Sequence, residues 1–252
     1  MSAPPVRVVQ FTDTHLFADR GGTLRGIDTL ASLQATLQQA AAHIRDAALI
    51  LVTGDLVHDE AGGYAHFRGI FGALGRPIVT LPGNHDDVPA MQRALRGAPF
   101  QYCGHADFSA WRIVMLDSVK PGSADGILGA HTLQVLRQSL QDCADRHVLV
   151  CLHHQPIPMR SRWLDTVGLE NSADFFATLD AHRHVRAVLW GHVHQSYDAQ
   201  RAGVRLLATP STCAQFLPHS DDFAIDPRPP AYRILELLDN GQINTEVIWL
   251  RQ

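Results

Sequence analysis

Cysteine is scarce in this sequence, and its spacing argues against two kinds of stabilising site. The 252 residues include four cysteines, and no two of them form a C-x-x-C pair. One of them, Cys151, falls inside an apolar run that is typical of a buried strand. We therefore expect neither a disulfide framework nor a cysteine zinc site, and reduced thiols at all four positions, Cys103, Cys143, Cys151 and Cys213.

Clustered positive charge and long apolar runs are missing as well. Lys and Arg number 21 against 25 Asp and Glu, which gives a formal net charge of -4 and a pI near 6.4. Nucleic acid and anionic membranes both favour clustered basic residues, so neither is expected as a partner. The N-terminal Met1-Ser-Ala-Pro-Pro lacks the basic and apolar regions of a targeting signal, and runs such as 48–52 are too short to cross a bilayer. We expect a soluble, cytosolic protein.

The sequence has no low-complexity segment, internal repeat or charge block that would mark a linker. With 46% hydrophobic residues, residues 1–252 are expected to form a single domain around a substantial core. Apolar runs rich in β-branched residues predict strands at 6–11, 48–52, 77–81, 148–152 and 185–190. Helical spacing predicts helices at 29–44, 64–74 and 131–140. This alternation predicts an α/β fold with a mainly parallel sheet.

The last quarter of the chain has a different pattern. Strands are predicted at 204–208, 231–237 and 243–250, and Asp239-Asn240-Gly241 gives a hairpin turn between the last two. An antiparallel portion follows, which either extends the first sheet or belongs to a second one. The loop at 209–230 is long enough to be functional, and we expect it to cover the site.

Five short polar clusters each follow a predicted strand or the residue after one. In layered parallel sheets, ligands bind beyond the carboxyl ends of the strands, so these clusters are expected to converge. Their carboxylates, imidazoles and amide carbonyl are the ligand types of a site for two divalent metals. The clusters are Asp13-Thr14-His15, Gly54-Asp55, Gly83-Asn84-His85-Asp86, His153-His154 and Gly191-His192-Val193-His194.

The spacing of residues within the clusters allows two side chains to bind the same cation. Residues two apart on an extended chain point the same way, so Asp13 and His15 can reach one metal. The two oxygens of Asp55 can bridge cations about 3.5 to 4 Å apart. His192 and His194 repeat the two-residue spacing and can divide between the metals. Each motif alone is weak, because a lone buried histidine is usually a hydrogen-bonded core residue, but five in order favour the metal site.

Taken together, the clusters resemble the signature of the calcineurin-like metallophosphoesterases, in order and without a gap. Four segments resemble the class III cyclic-nucleotide phosphodiesterases within that superfamily: Phe11-Thr-Asp-Thr-His-Leu-Phe, Leu81-Pro-Gly-Asn-His-Asp, Ser161-Arg-Trp-Leu-Asp and the stretch 206–219. The resemblance covers roughly residues 6–250. It implies a four-layer αββα sandwich, in which the antiparallel tail belongs to the second sheet.

The resemblance also implies an activity: hydrolysis of 3′,5′-cyclic AMP to 5′-AMP by a hydroxide that bridges two ions of iron, manganese or zinc. It implies that Asp55 bridges the metals, and that His85 contacts the phosphate and assists the leaving oxygen, oriented by Asp86 or another acidic neighbour. The implied ligands are Asp13, His15, Asp55 and His194 for metal one, and Asp55, Asn84, His153 and His192 for metal two. The implied contacts to the cyclic nucleotide are His15, Asn84, His85, His194 and His219.

Several alternatives stay open from the sequence. The neighbouring His154 competes with His153 as a ligand, and the family pattern favours His153. The substrate can instead be a glycerophosphodiester, a broader set of phosphodiesters or a phosphomonoester. A non-catalytic scaffold of the same fold is a third alternative, although such scaffolds lose ligands that this chain retains. The oligomeric state is not fixed by the sequence, and a homodimer is one alternative.

Overall fold

A computed structural model describes residues 4–251, so residues 1–3 of the N-terminal segment lie outside the described residues. Two six-stranded sheets form its centre. The first contains, in spatial order, β16 (Ile243–Trp249), β15 (Ala231–Leu237), β1 (Val6–Phe11), β4 (Leu49–Thr53), β5 (Ile78–Leu81) and β6 (Phe100–Tyr102). The second contains β11 (Tyr197–Arg201), β12 (Val204–Ala208), β10 (Val185–Trp190), β9 (His147–Leu152), β8 (Trp111–Met115) and β7 (Gly104–Phe108).

Short elements and helices complete the fold. Two small hairpins are formed by β2 (Thr23–Leu24) with β3 (Ile27–Asp28), and by β13 (Gln215–Phe216) with β14 (Ile225–Asp226). The helices are α1 (Thr29–Asp46), α2 (Gly63–Gly72), α3 (Val88–Ala94), α4 (Ala130–Gln141), α5 (Arg162–Asp165) and α6 (Ser172–Asp180).

The central strands are apolar on both faces because each sheet is covered on both sides. In β4, Leu49 and Leu51 face the other sheet, whereas Ile50 and Val52 face a core that includes Leu33 of α1. Helices α4 and α6 cover the outer face of the second sheet with another apolar cluster. The layers are therefore helix, sheet, sheet, helix, and the predicted four-layer αββα arrangement is confirmed.

The placement of the antiparallel tail in the second sheet is correct for the predicted strand at 204–208, which is β12, and wrong for β15 and β16. Strand β15 pairs antiparallel with β1, and β16 pairs antiparallel with β15, so these two strands extend the first sheet. Leu235 of β15 joins Val8 of β1 in the core between the sheets. Alternating apolar residues define the buried face of a strand but not the sheet edge on which it pairs, so the sequence could not decide this point.

A buried arginine ties the two sheets together near their functional end. Arg233 of β15 is 2% exposed. Its guanidinium donates to the Ala208 carbonyl at 2.7 Å and to Thr209 Oγ1 at 2.9 Å, at the end of β12 in the other sheet. Burial lowers the pKa of Arg233 to about 10, so the side chain remains a cation at neutral pH.

We expect Arg233→Met to destabilise the protein by about 2–3 kcal/mol, because buried acceptors lose their donors. The matched control is Arg7→Met on the neighbouring strand, where an exposed ion pair with Glu236 predicts a change within about 0.5 kcal/mol. Urea unfolding of both variants measures the difference. Equal stabilities would show that the arginine does not hold the sheets together.

Candidate metal centre

The predicted ligands converge at the carboxyl ends of five neighbouring strands. The clusters follow β1, β4 and β5 of the first sheet and β9 and β10 of the second, so both sheets contribute to one site. Six of the seven predicted ligands are at most 8% exposed, namely Asp13, His15, Asp55, His153, His192 and His194. Asn84 is half-buried, yet its Oδ1 is buried and has no hydrogen-bond partner.

One ligand group contains Asp13, His15 and His194, whose ligand atoms all lie within 4.8 Å of one another. His15 Nε2 lies 3.2 Å from His194 Nε2. His194 Nε2 lies 3.3 Å from Asp13 Oδ1. These three side chains point their nitrogen and oxygen atoms at a common centre.

A second group contains His153 and His192. His153 Nε2 lies 3.2 Å from His192 Nδ1 and 3.3 Å from Asp55 Oδ2. The same Asp55 oxygen lies 3.7 Å from His15 Nε2 of the first group. Asp55 therefore stands between the two groups.

His154 is also close to the second group, since His153, His154 and His192 form a cluster of their own. Its Nδ1 hydrogen-bonds with Ser118 Oγ at 2.8 Å. His153 instead directs Nε2 at the Asp55 carboxylate. His154 Nε2 is buried and has no hydrogen-bond partner, so the choice of His153 over His154 as the ligand stays a prediction.

The hydrogen bonds behind the cluster fix the inward-facing nitrogens. His153 Nδ1 donates to the Thr53 carbonyl at 2.8 Å, and His194 Nδ1 donates to the Ala214 carbonyl at 2.6 Å. Each Nε2 then faces the cluster, the arrangement usual for ligating histidines. The candidate ligand atoms are imidazole nitrogens, carboxylate oxygens and the unpartnered Asn84 oxygen, with no thiolate among them. Ligands of these types bind divalent cations.

The electrostatics favour positive charge at the centre of the cluster. Burial lowers the pKa of His192 to about 3. Burial opposes charge on His153 too, but the Asp55 carboxylate raises its pKa to about 9. Burial alone would raise the pKa of Asp55, whereas His153 holds it well below its usual range. Asp55 is consequently ionised at neutral pH and attracts cations.

The backbone at the site adopts an uncommon conformation. Five of the seven predicted ligands have left-handed φ angles between 44° and 66°: Asp13, His15, Asp55, His192 and His194. Such a conformation costs a non-glycine residue about 1–2 kcal/mol. Strain of this kind concentrates at functional sites, where the surrounding structure enforces it. Here it turns successive side chains toward one centre.

Two glycines allow the close packing around the ligands. A Cβ atom on Gly54 would overlap the His153 ring, and one on Gly191 would overlap Thr12 Oγ1. Gly54 also has a φ of +96°, which side-chain-bearing residues rarely adopt. Steric fit therefore explains why glycine occupies these two motif positions.

His85 lies beside the cluster and is partly exposed. Its Nδ1 is 3.0 Å from Asp59 Oδ1, so Asp59 is the acidic neighbour that orients it. Asp86 does not orient His85, because its carboxylate accepts hydrogen bonds from backbone N–H groups, including that of Gly83, and from the Tyr64 hydroxyl. The His58 ring packs on His85 at 4.4 Å, and its Nδ1 lies 3.2 Å from His15 Nδ1. Neither Asp59 nor His58 was predicted from the sequence.

A cavity of about 570 Å³ opens above the cluster, and His15, Asp55, Asn84, His85 and His192 line it. Its other walls come from the β2–β3 hairpin, from α5 and from the loop 209–230. The side chains that face the cavity there include Arg25, Trp163, Phe216 and Phe223. His219 is exposed and does not line the cavity, so the structure does not bring it to the other predicted contacts.

A four-layer αββα fold with carboxylates, imidazoles and an amide at the strand ends defines the class of metal-dependent phosphoesterases. A family model described as calcineurin-like phosphoesterase matches residues 6–196. The chain belongs to this family.

Comparison with individual proteins agrees with this assignment. The chain is 41% identical over 243 residues to the 3′,5′-cyclic adenosine monophosphate phosphodiesterase CpdA of Pseudomonas aeruginosa, covering 96% of this chain and 89% of that protein. It is 36% identical over 251 residues to CpdA of Haemophilus influenzae, covering 99% of this chain and 92% of the relative. A solved dimetal phosphatase from Danio rerio shares the fold, with a TM-score of 0.70, 14% identity and coverage of 99% and 100% of the two chains.

Proposed function

We propose that the protein hydrolyses 3′,5′-cyclic AMP to 5′-AMP. The observation that carries this proposal is the identity of 41% over 96% of the chain with a cyclic-AMP phosphodiesterase. The reaction adds water to the cyclic diester and breaks the bond between phosphorus and the 3′-oxygen. The site must therefore hold the phosphate, favour attack by water and deliver a proton to the departing oxygen.

The proposed ligand sets are those of the sequence analysis. Asp13, His15, Asp55 and His194 would hold one divalent ion, and Asp55, Asn84, His153 and His192 would hold the other. The ligand types suit iron, manganese or zinc. When bound, two such ions would supply a nucleophile by lowering the pKa of coordinated water and would neutralise phosphoryl charge.

The remaining chemistry falls to side chains around the cluster. His85 faces the cavity, and the hydrogen bond between its Nδ1 and Asp59 Oδ1 orients the ring so that Nε2 is available to the substrate. His85 can therefore hold a proton at Nε2 and give it to the 3′-oxygen as the bond breaks. Asn84, His15 and His194 lie close enough to share the phosphate end of the cavity.

We infer one domain over residues 1–252, with the loop 209–230 covering the cavity through Phe216 and Phe223. The described cysteines are all free, which fits a reducing cytoplasm. No helix in residues 4–251 is long and apolar enough to cross a membrane.

A substrate panel with manganese-reconstituted protein tests the activity. We expect 3′,5′-cyclic AMP to have the highest kcat/KM in a set with 2′,3′-cyclic AMP, glycerophosphocholine and p-nitrophenyl phosphate. Glycerophosphocholine as the best substrate would point to the glycerophosphodiesterase alternative. Absence of turnover on every substrate, with both ions bound, would favour the scaffold alternative.

A further inference from the structure

Three aromatic rings meet at one side of the cavity and form a corner. Trp163 of α5 lies 5.3 Å from Phe216 and 5.2 Å from Phe223, at angles of 74° and 76°. Phe216 and Phe223 lie 5.4 Å apart at 69°. Since each ring meets the others edge to face, a flat ligand on the face of one ring would touch the edge of another. We call Trp163, Phe216 and Phe223 the aromatic corner.

The aromatic corner is fixed in position relative to the metal centre. Phe216 stacks on the His194 ring, with centroids 4.1 Å apart and planes at 8°. Its backbone N–H donates to the His194 carbonyl at 3.3 Å. On the other side, the backbone N–H of Trp163 donates to the Asp221 carbonyl at 3.2 Å, which joins α5 to the loop. A ligand that contacts both the aromatic corner and the metal centre must therefore span a fixed distance between them.

Arg25 packs against the aromatic corner from the opposite wall of the cavity. It lies at the tip of the β2–β3 hairpin, and its guanidinium carbon is 4.5 Å from the centroid of the Phe223 ring. Among residues 4–251 it forms no ion pair, so its cationic face is not committed to a carboxylate. An arginine plane and an aromatic ring are the two surfaces on which nucleobases stack in proteins.

We propose that the aromatic corner and Arg25 form the nucleobase subsite, where the base of the cyclic nucleotide stacks while the cyclic phosphate lies at the metal centre. This inference rests on the proposed cyclic-nucleotide activity. The ribose joins base and phosphate in one rigid unit, so contacts to the base help place the phosphate for attack. A small phosphodiester without a base makes no contact with the aromatic corner. The subsite therefore favours cyclic nucleotides over such phosphodiesters.

The decisive variant is Phe223→Ala. Phe223 is 41% exposed and its ring packs against Trp163 and Phe216, so its truncation should leave the fold and the metals intact. Two substrates report the effect: cyclic AMP and the base-free 1-deoxyribose 3′,5′-cyclic phosphate, which has the same reacting group. We expect kcat/KM for cyclic AMP to fall about tenfold, the loss typical for one aromatic stacking partner, and kcat/KM for the base-free compound to change less than twofold.

Further variants sharpen the test. Arg25→Met, which keeps the length of the stem, is expected to lower kcat/KM for cyclic AMP about threefold, the size of an exposed cation–π contact. Phe223→Tyr keeps a ring and should retain wild-type kcat/KM. Leu217→Ala is the matched control, because Leu217 is 40% exposed in the same loop but does not line the cavity.

The outcomes separate this inference from the activity on which it rests. If wild type hydrolyses cyclic AMP and Phe223→Ala loses equally on both substrates, or on neither, the subsite is overturned while the activity stands. If wild type with both ions bound turns over the base-free compound but not cyclic AMP, the activity itself is contradicted, and the subsite with it. Selective loss on cyclic AMP, with Leu217→Ala unchanged, supports the subsite.

Discussion

Asp55→Ala is expected to remove both metal ions and to lower turnover by on the order of 10³-fold or more, since the metals supply several kcal/mol to the reaction. Both losses are expected because Asp55 lies between the two ligand groups. One Asp55 oxygen lies 3.3 Å from His153 Nε2 and 3.7 Å from His15 Nε2, and those two histidines belong to different ligand groups. Elemental analysis after reconstitution in excess manganese measures the ion content, and we expect two ions per wild-type chain.

A second substitution separates charge from local structure. Asp55 Oδ1 accepts the backbone N–H of His85 at 2.9 Å, and Asp55→Asn retains that acceptor. We expect Asp55→Asn to lose the ions as well, because a neutral amide bridges two cations poorly. Asp46→Ala at the exposed end of α1 is the control and should keep two ions. Two ions in Asp55→Ala would show that this carboxylate does not bridge.

His85→Ala is expected to keep both ions yet lose about 10²-fold or more in kcat on cyclic AMP, the range typical of general acid catalysis. His85 lies outside the two ligand groups, and its Nδ1 is bonded to Asp59 rather than directed at the cluster. Steady-state kinetics and elemental analysis of the same preparation separate the two effects. Asp59→Asn should give a smaller loss, because it acts through His85.

The leaving group provides the control for this role. Nitrophenolate departs without a proton, so His85→Ala should lose much less on bis(p-nitrophenyl) phosphate than on cyclic AMP. Equal losses on the two substrates would rule out proton donation by His85. Loss of an ion in His85→Ala would instead make it a ligand.

The sequence predicted the central strands because burial on both faces leaves a continuous apolar run, as in β4 and β9. It missed β8, a fully buried strand that contains Arg112. The guanidinium of Arg112 is neutralised by Asp107 of the paired strand β7, at 2.7 Å. Strands β15 and β16 were placed in the wrong sheet for a related reason, since strand pairing depends on neighbours that are distant in sequence.

The candidate site likewise has a part that the sequence predicted and a part that it did not. The ligand candidates were visible because carboxylates, imidazoles and glycines recur in fixed order after the strands. Asp59 and His58 were not found, because only the packing around His85 gives them a role. Arg25 and Phe223 lie about two hundred residues apart, and their contact across the cavity has no signal in the sequence. The assigned contact of His219 with the nucleotide stays a prediction, and its exposed position does not support it.

The initial product of cyclic AMP hydrolysis tests the central claim most directly. Wild type reconstituted with manganese is incubated with 3′,5′-cyclic AMP, and the products of the first turnovers are separated by chromatography. Attack at phosphorus with departure of the 3′-oxygen predicts 5′-AMP as the only early product. Early appearance of 3′-AMP or adenosine, or no turnover with two ions bound, would contradict the account.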